Sequence, residues 1–510
     1  MLSRTFSAIT LGLEPIKIEI EVDSNRGQPA FILIGLPGKT VDEAKERISS
    51  ALRNCGIRIK SKRTVVNLAP ADIKKTSPVF ELAIAIGILK MYGEIEIDTD
   101  DTMFFGELSL DGDLKNIKGA LPLVLAAKEM GFKHVILPKA NAKEVAIIDD
   151  IAIHPINHLS EYLDFAENNS TLPTLKPVDF NSTQEENSKF QTNFSDIHGQ
   201  DQAKRCLEIA AAGGHNLLME GPPGAGKSMM AQALISILPP LNKDEAIEVS
   251  KIYSICGLIN GGLIKQKPFR SPHHTTSQVG LIGGGSNIKP GEISLSHRGV
   301  LFLDEFPEFL RSSLEALRQP MEDGVVSISR AMGSATYPSR FTLVAAANPC
   351  PCGYHGSRRK TCVCSANLFD RYQKKISGPI LDRIDMHLRV EDVEVKKLAQ
   401  HKSKTRESSQ TIRARVIAAR KRQEQRYKNT PYISNAELSS KDVKKLLNIK
   451  DDAKQILTRA IDKLGLSARS YFKIIKVAQT IADLENSKVI LAQHIAEALQ
   501  YRRVQKDEAR

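Results

Sequence analysis

Residues 216–237 read Asn216-Leu-Leu-Met-Glu-Gly221-Pro-Pro-Gly-Ala-Gly-Lys-Ser228-Met-Met-Ala-Gln-Ala-Leu-Ile-Ser-Ile237. A short apolar run, a glycine-rich turn and a helix-forming segment follow one another without interruption, which is the strand–loop–helix context of a phosphate loop. The residue types answer a physical demand. Gly221, Gly224 and Gly226 let successive backbone N–H groups turn toward phosphate oxygens without a Cβ clash, and the helix N-terminus adds its partial positive charge. Pro222, Pro223 and Ala225 complete the cradle. Lys227 is placed to reach the terminal phosphates and Ser228 to ligate Mg2+, so ATP with Mg2+ is the expected ligand pair.

Working outward, Gly299-Val-Leu-Phe-Leu-Asp304-Glu305 supplies the second half of such a site. An apolar strand ending in two carboxylates sets both at its C-terminal edge, where open α/β sheets bind ligands. Asp304 is expected in the Mg2+ shell, and Glu305 is expected to orient and deprotonate an attacking water. Further strands are predicted over 341–347 and 386–390, with helices between. Apolar strands separated by helices imply an α/β fold with a parallel sheet covered on both faces.

At 510 residues the chain is too long for one core. Its 41% hydrophobic and 25% charged residues exclude a largely disordered chain. No run approaches the roughly 18 apolar residues of a membrane span, so no membrane association is expected. The N-terminus lacks the apolar core and cleavage site of a signal peptide, and seven unevenly spread cysteines argue against a disulfide framework. The cytoplasm is the expected compartment. Residues 167–192 are polar, hold two prolines and show no period, which reads as a linker. Ahead of it, strands over 16–22, 31–34 and 64–67 mix with helices over 40–55, 80–91 and 119–130. From about residue 393 the pattern is helical, most clearly over 453–464, 470–484 and 491–504.

Lys and Arg outnumber Asp and Glu by 71 to 59, and the surplus is concentrated. Between Lys396 and Lys428 twelve basic residues face only Glu407 and Glu424. Two readings stand. One is a solvated helix face. The other is a polyanion contact in which Ile412, Val416 and Ala419 face a core while Arg413, Arg420, Lys421 and Arg422 project outward.

The two nucleotide motifs resemble those of the AAA+ ATPases, and the likeness extends along the chain. Asn348, ending the apolar run Phe341-Thr-Leu-Val-Ala-Ala-Ala347, resembles the sensor that positions water beside the γ-phosphate. Arg383, within Ser377-Gly-Pro-Ile-Leu-Asp-Arg-Ile-Asp385, resembles the arginine finger, which implies a ring in which it serves a neighbouring subunit. Arg469, in Leu466-Ser-Ala-Arg469, matches the second sensor on the helical lid. Between Lys227 and Asp304 lies a long stretch rich in glycine, expected to be mobile, and residues 323–338 alternate polar and apolar like a hairpin. Both are similar to the helix-2 insert and pre-sensor hairpin of the magnesium-chelatase and replicative-helicase branch, where such loops line a central channel. Arg330, near the hairpin tip, is the residue expected to touch a DNA phosphate. His273 and His274 read as structural or channel residues rather than metal ligands, because no partner ligand has suitable spacing.

Cys350-Pro-Cys352 and Cys362-Val-Cys364 place four of the seven cysteines within fifteen residues, directly after Asn348. Two close pairs of soft ligands suit a structural tetrahedral Zn2+ that clips a loop too polar to pack itself, with free thiols or a redox pair as alternatives. Cys55, Cys206 and Cys256 read as small core residues.

Taken together, Gly199-Gln-Asp-Gln-Ala-Lys-Arg, the phosphate loop, Pro272-His-His-Thr275, Pro290-Gly-Glu-Ile-Ser-Leu295, Gly299-Val-Leu-Phe-Leu-Asp-Glu305 and Asn348-Pro-Cys-Pro-Cys-Gly353 resemble the YifB/ComM family of magnesium-chelatase-like AAA+ ATPases over essentially the whole chain. The resemblance implies an inactive Lon-protease-like α+β domain over 1–166, the linker, an AAA+ core over 193–395 and a helical lid over 396–510. It also implies a hexameric ATP-driven DNA motor for branch migration in recombination of transforming DNA, acting with single-stranded or branched DNA and with recombination proteins. A metal-chelatase motor subunit and a non-DNA remodelling factor are the alternatives. In the Lon-like segment Pro78 falls where the nucleophilic serine is expected, with Ser77 beside it, and the lysine position falls on Leu123. Without a lysine to take its proton Ser77 has no activated chemistry, so peptidase activity is not expected.

Overall fold

The computed structural model describes residues 2–25, 27–36, 38–57, 62–168, 171–181, 192–259, 261–285, 288–330, 333–357, 360–376, 378–391 and 407–502. Five strands, Leu217–Glu220, Phe269–Arg270, Val300–Leu303, Thr342–Ala347 and Met386–Arg389, form one parallel sheet. Numbered one to five in chain order, they lie two-three-four-one-five across it. The central strands Val300–Leu303 and Thr342–Ala347 read as near-continuous apolar runs because both faces are covered. Leu217, Met219, Val300, Phe302, Val344 and Ala346 face one core, and Leu218, Leu301, Leu303, Leu343 and Ala345 face the other.

The first core is completed by the C-terminal helices. Ile412, Val416 and Ala419 of the helix Ser409–Arg426 join it, as do Ile474, Ile475, Val477, Ala478 and Ile481 of Ala468–Leu484. The second core holds the predicted hairpin. Val325–Arg330 pairs antiparallel with Gly333–Pro338, and Val326, Ile328, Ala335 and Tyr337 point inward. The two residues at its tip, 331 and 332, lie outside the described residues.

N-terminal to these, seven strands form a mixed sheet with a core of its own. The chain's first strand, Ser3–Leu11, pairs antiparallel with Glu14–Asn25. The helix Glu81–Tyr92 is buried on nearly every side, which explains its continuous apolar sequence. Its one buried acid, Glu81, is neutralised by Arg47. Leu11 and Leu13, flanking the tight turn between the first two strands, pack against the core cluster of the hairpin. No described helix is long and apolar enough to cross a membrane.

The basic run resolves differently from its sharper reading. Residues 392–406 lie outside the described residues, including Lys396. In the helix Ser409–Arg426, Arg420 does not project outward but donates to the Ala211 carbonyl at 2.9 Å. Arg422 donates to Asn486 Oδ1 and the Asp483 carbonyl, both at 2.8 Å, and Arg415 pairs with Glu208 and Glu407. Arg426 pairs with the buried Asp483. Much of this charge is spent joining helices, because guanidinium forks match nearby carboxylates and carbonyls.

Candidate nucleotide site

Strand four lies between strands one and three, so the C-terminal edge of the sheet brings Asn348 between the phosphate loop and the Asp304–Glu305 pair. Gly224 and Gly226 take φ of 78° and 84°, the left-handed region that glycine tolerates, and turn the loop into the helix Lys227–Ile237. The Lys227 ammonium folds back to donate to the carbonyls of Gly221 at 2.6 Å and Pro222 at 3.0 Å, and to Asn348 Oδ1 at 3.1 Å. Burial holds its pKa below the ordinary lysine value, with Asp304 and Glu220 opposing. Ser228 Oγ donates to Asp304 Oδ2 at 2.8 Å, which gathers a hydroxyl and a carboxylate, the hard oxygen donors that suit Mg2+.

Glu305 follows with φ of 50°, a left-handed conformation that costs a non-glycine residue about 1 kcal/mol or more. Its carboxylate is half exposed and lies 3.0 Å from His274 Nδ1. The His273 and His274 rings stand 4.1 Å apart. The pairing of His274 with Glu305 was not legible in the spacing. The histidine reaches the carboxylate from the loop after strand two, and only the order of the sheet makes strands two and three neighbours.

Arg383 and Arg469 lie elsewhere. Arg383 precedes strand five by three residues, at the N-terminal edge of the sheet, and a cavity of about 590 Å3 there is lined by Asn216, Gly299, Thr342, Asp385, Arg383 and Arg469. Arg383 pairs with Glu322 at 2.5 Å and is 10% exposed; Arg469 stands 3.9 Å from the same carboxylate and is 63% exposed. The Arg383 guanidinium beside Glu322 holds that carboxyl below its ordinary pKa. Within one chain the structure therefore unites Lys227, Ser228, Asp304, Glu305 and Asn348 and sets the two arginines on the opposite edge. Ser377, at the start of the Arg383 motif, lies outside the described residues.

Residues 193–398 match the family model described as magnesium chelatase, subunit ChlI, residues 20–141 that of subunit ChlI of Mg-chelatase, and residues 406–502 that of the subunit's C-terminal part. The chain is 41% identical over 504 residues to competence protein ComM of Haemophilus influenzae, covering 98% of this chain and 97% of that protein. It is 39% identical over 508 residues to YifB of Escherichia coli, covering 99% and 97%. The chain belongs to the YifB/ComM family of magnesium-chelatase-like AAA+ proteins. A 120-residue stretch is also 34% identical to Lon protease 2 of Bacillus subtilis, covering 23% of this chain and 21% of that protein.

In this YifB/ComM chain the Lon-like segment buries Leu123 in the apolar core, and Lys75, fully buried, donates to the Pro70 carbonyl. Ser77 Oγ accepts from the Val79 N–H at 3.4 Å. Arg330 is exposed near the hairpin tip. The Sγ atoms of Cys350, Cys352, Cys362 and Cys364 all fall within 4.8 Å of one another. Of the remaining cysteines Cys206 is buried, whereas Cys55 and Cys256 are half-buried.

Proposed function

We propose that this chain is an ATP-hydrolysing ring motor that moves DNA, with each nucleotide cleaved between two copies. The observation that carries the reading is the split site. The phosphate loop, Asp304, Glu305 and Asn348 occupy one edge of the sheet, while Arg383 and Arg469 occupy the other. A head-to-tail ring sets one copy's arginines against the next copy's phosphate loop, and such contacts close with cyclic symmetry. Arg469 supports this. It lies in the first turn of the helix Ala468–Leu484, where a cation opposes the helix dipole, and it stays exposed.

In this reading Lys227 and the loop N–H groups hold the triphosphate, and Ser228 and Asp304 hold Mg2+. Bound Mg2+ supplies charge neutralisation across the phosphate oxygens. Glu305 accepts the proton of the attacking water, with His274 orienting its carboxylate. Asn348 places that water, and the neighbour's Arg383 and Arg469 meet the charge that develops. Arg330 contacts the DNA backbone from the hairpin. Cys350, Cys352, Cys362 and Cys364 hold a structural Zn2+. The unit over 1–166 is a non-catalytic scaffold for assembly or DNA, joined by the 167–192 linker to a core over 193–395 and a lid over 396–510.

The likeness to a competence protein supports a role in competence; the finer reading proposed here is hexameric branch migration during recombination of transforming DNA, in the cytoplasm and alongside recombination proteins. The deciding experiment is ATP turnover with and without single-stranded and four-way branched DNA, with Glu305→Gln as the inactive control. Stimulation by DNA together with salt-sensitive binding is expected, since phosphate contacts release counterions. Neither stimulation nor binding at low salt overturns the DNA motor in favour of a chelatase-type or other remodelling ATPase.

A further inference from the structure

The four-cysteine loop lies against the nucleotide site. The Sγ atoms of Cys350, Cys352 and Cys362 are 3.3–3.6 Å apart. Four thiolates at a Zn–S distance of about 2.3 Å stand about 3.8 Å apart at the corners of a tetrahedron, so the side chains are gathered at the spacing the ion needs. Apolar burial contributes little to that gathering. Val363, between the second pair, is 84% exposed, and Cys352, Cys362 and Cys364 are only half-buried.

The first half of the loop is tied to the elements that build the nucleotide site. Cys350 follows Asn348 by two residues, and Gln373 donates to the intervening Pro349 carbonyl at 2.9 Å. Gly353 closes a turn onto the Cys350 carbonyl at 2.9 Å and takes φ of 83°. It rests against the phosphate loop itself, where a Cβ on Gly353 would stand 2.5 Å from Pro223 Cδ. A proline ring has no free rotamer by which to yield, so a clash there is passed on to the backbone of the phosphate loop. Further along, the Gly356 carbonyl accepts from Arg389, at the end of strand five, at 3.2 Å. The loop thus bridges the Asn348 strand, the phosphate loop and strand five.

We propose that Zn2+ held by Cys350, Cys352, Cys362 and Cys364 is a clamp that seats Pro223 of the phosphate loop and Asn348, so that metal loading sets the affinity for ATP. The clamp rests on the zinc reading above and adds a regulatory role to it. Zn2+ fixes the turn that carries Gly353, and the fixed turn limits where the phosphate loop can lie. Losing the ion frees both pairs and lets the loop and the sensor strand part.

The test uses the full chain purified without oxygen, with zinc measured by elemental analysis and affinity by titration with a fluorescent ATP analogue. One zinc per chain is expected. Stripping it with a chelator is expected to raise the Kd about tenfold, and restoring Zn2+ to reverse the change. Gly353→Ala is expected to keep the zinc and still raise the Kd several-fold, because its methyl displaces Pro223. Cys362→Ser combined with Cys364→Ser is expected to lose both zinc and affinity. Should that variant not fold, stripping and Gly353→Ala carry the test. Absence of zinc in the anaerobic protein overturns the metal site itself. Zinc present, with a Kd unmoved by stripping and by Gly353→Ala, leaves the metal in place and overturns the clamp.

Discussion

Arg383 and Glu322 form a 2.5 Å ion pair on the edge of the sheet remote from Lys227. The placement follows from topology. Arg383 precedes the fifth strand, Lys227 follows the first, and the two strands run parallel side by side, so the residues sit at opposite ends. Its guanidinium is nearly buried and already holds a carboxylate, so in the ring proposed above a neighbouring subunit's triphosphate would have to displace Glu322 from it.

Arg383→Ala is expected to lower turnover about 10³-fold while leaving nucleotide affinity within a few-fold of normal. Mixing this variant with Lys227→Ala is expected to recover part of the turnover that each lacks alone, because mixed rings contain intact sites made of one copy of each. Turnover that stays normal in Arg383→Ala, or that does not depend on protein concentration, removes the shared site.

His274→Ala releases the Glu305 carboxylate from an imidazole 3.0 Å away. Turnover is expected to fall about tenfold with KM little changed, since a group that orients the base acts after binding. His274→Gln, which keeps a hydrogen-bonding side chain there, is expected to recover part of the lost turnover. Turnover that stays normal in His274→Ala separates His274 from the chemistry.

Arg330→Ala is expected to weaken DNA binding uniformly across sequences and reduce the salt slope by about one, the signature of one lost phosphate contact. Basal ATP turnover without DNA is expected to persist. Unaltered affinity removes the hairpin from the DNA path.

His215 joins the parallel sheet to the lid. It is fully buried and shares a 2.7 Å hydrogen bond with Thr480, and burial pushes its pKa down from 6.5 to about 4. A base with a depressed folded pKa is protonated first in the unfolded chain. Its stabilisation is therefore complete above about pH 6.5 and is lost as the pH falls toward 4. A loss on the order of 3 kcal/mol across that window is expected from thermal melts, and His215→Asn is expected to flatten that part of the curve. A wild-type Tm that is constant between pH 6.5 and 4 contradicts this.

The sequence by itself determined the local chemistry. A phosphate loop is a contiguous string whose strand, turn and helix follow from neighbouring residues, and the strand ending in Asp304 and Glu305 needs only its own apolar run. The hairpin around Arg330 and the buried helix Glu81–Tyr92 were legible for the same reason, since alternation and continuous apolarity are short-range signals. Tertiary structure decided which distant groups meet. The two-three-four-one-five order alone puts His274 beside Glu305 and Asn348 beside Lys227. The packing of the helices places Arg383 and Arg469 on one carboxylate at the far edge, and turns the basic helix Ser409–Arg426 into a brace through Arg420 and Arg422. Hydrogen bonds and ion pairs act over about 3 Å, and residues hundreds of positions apart come that close only through the packing of the whole chain.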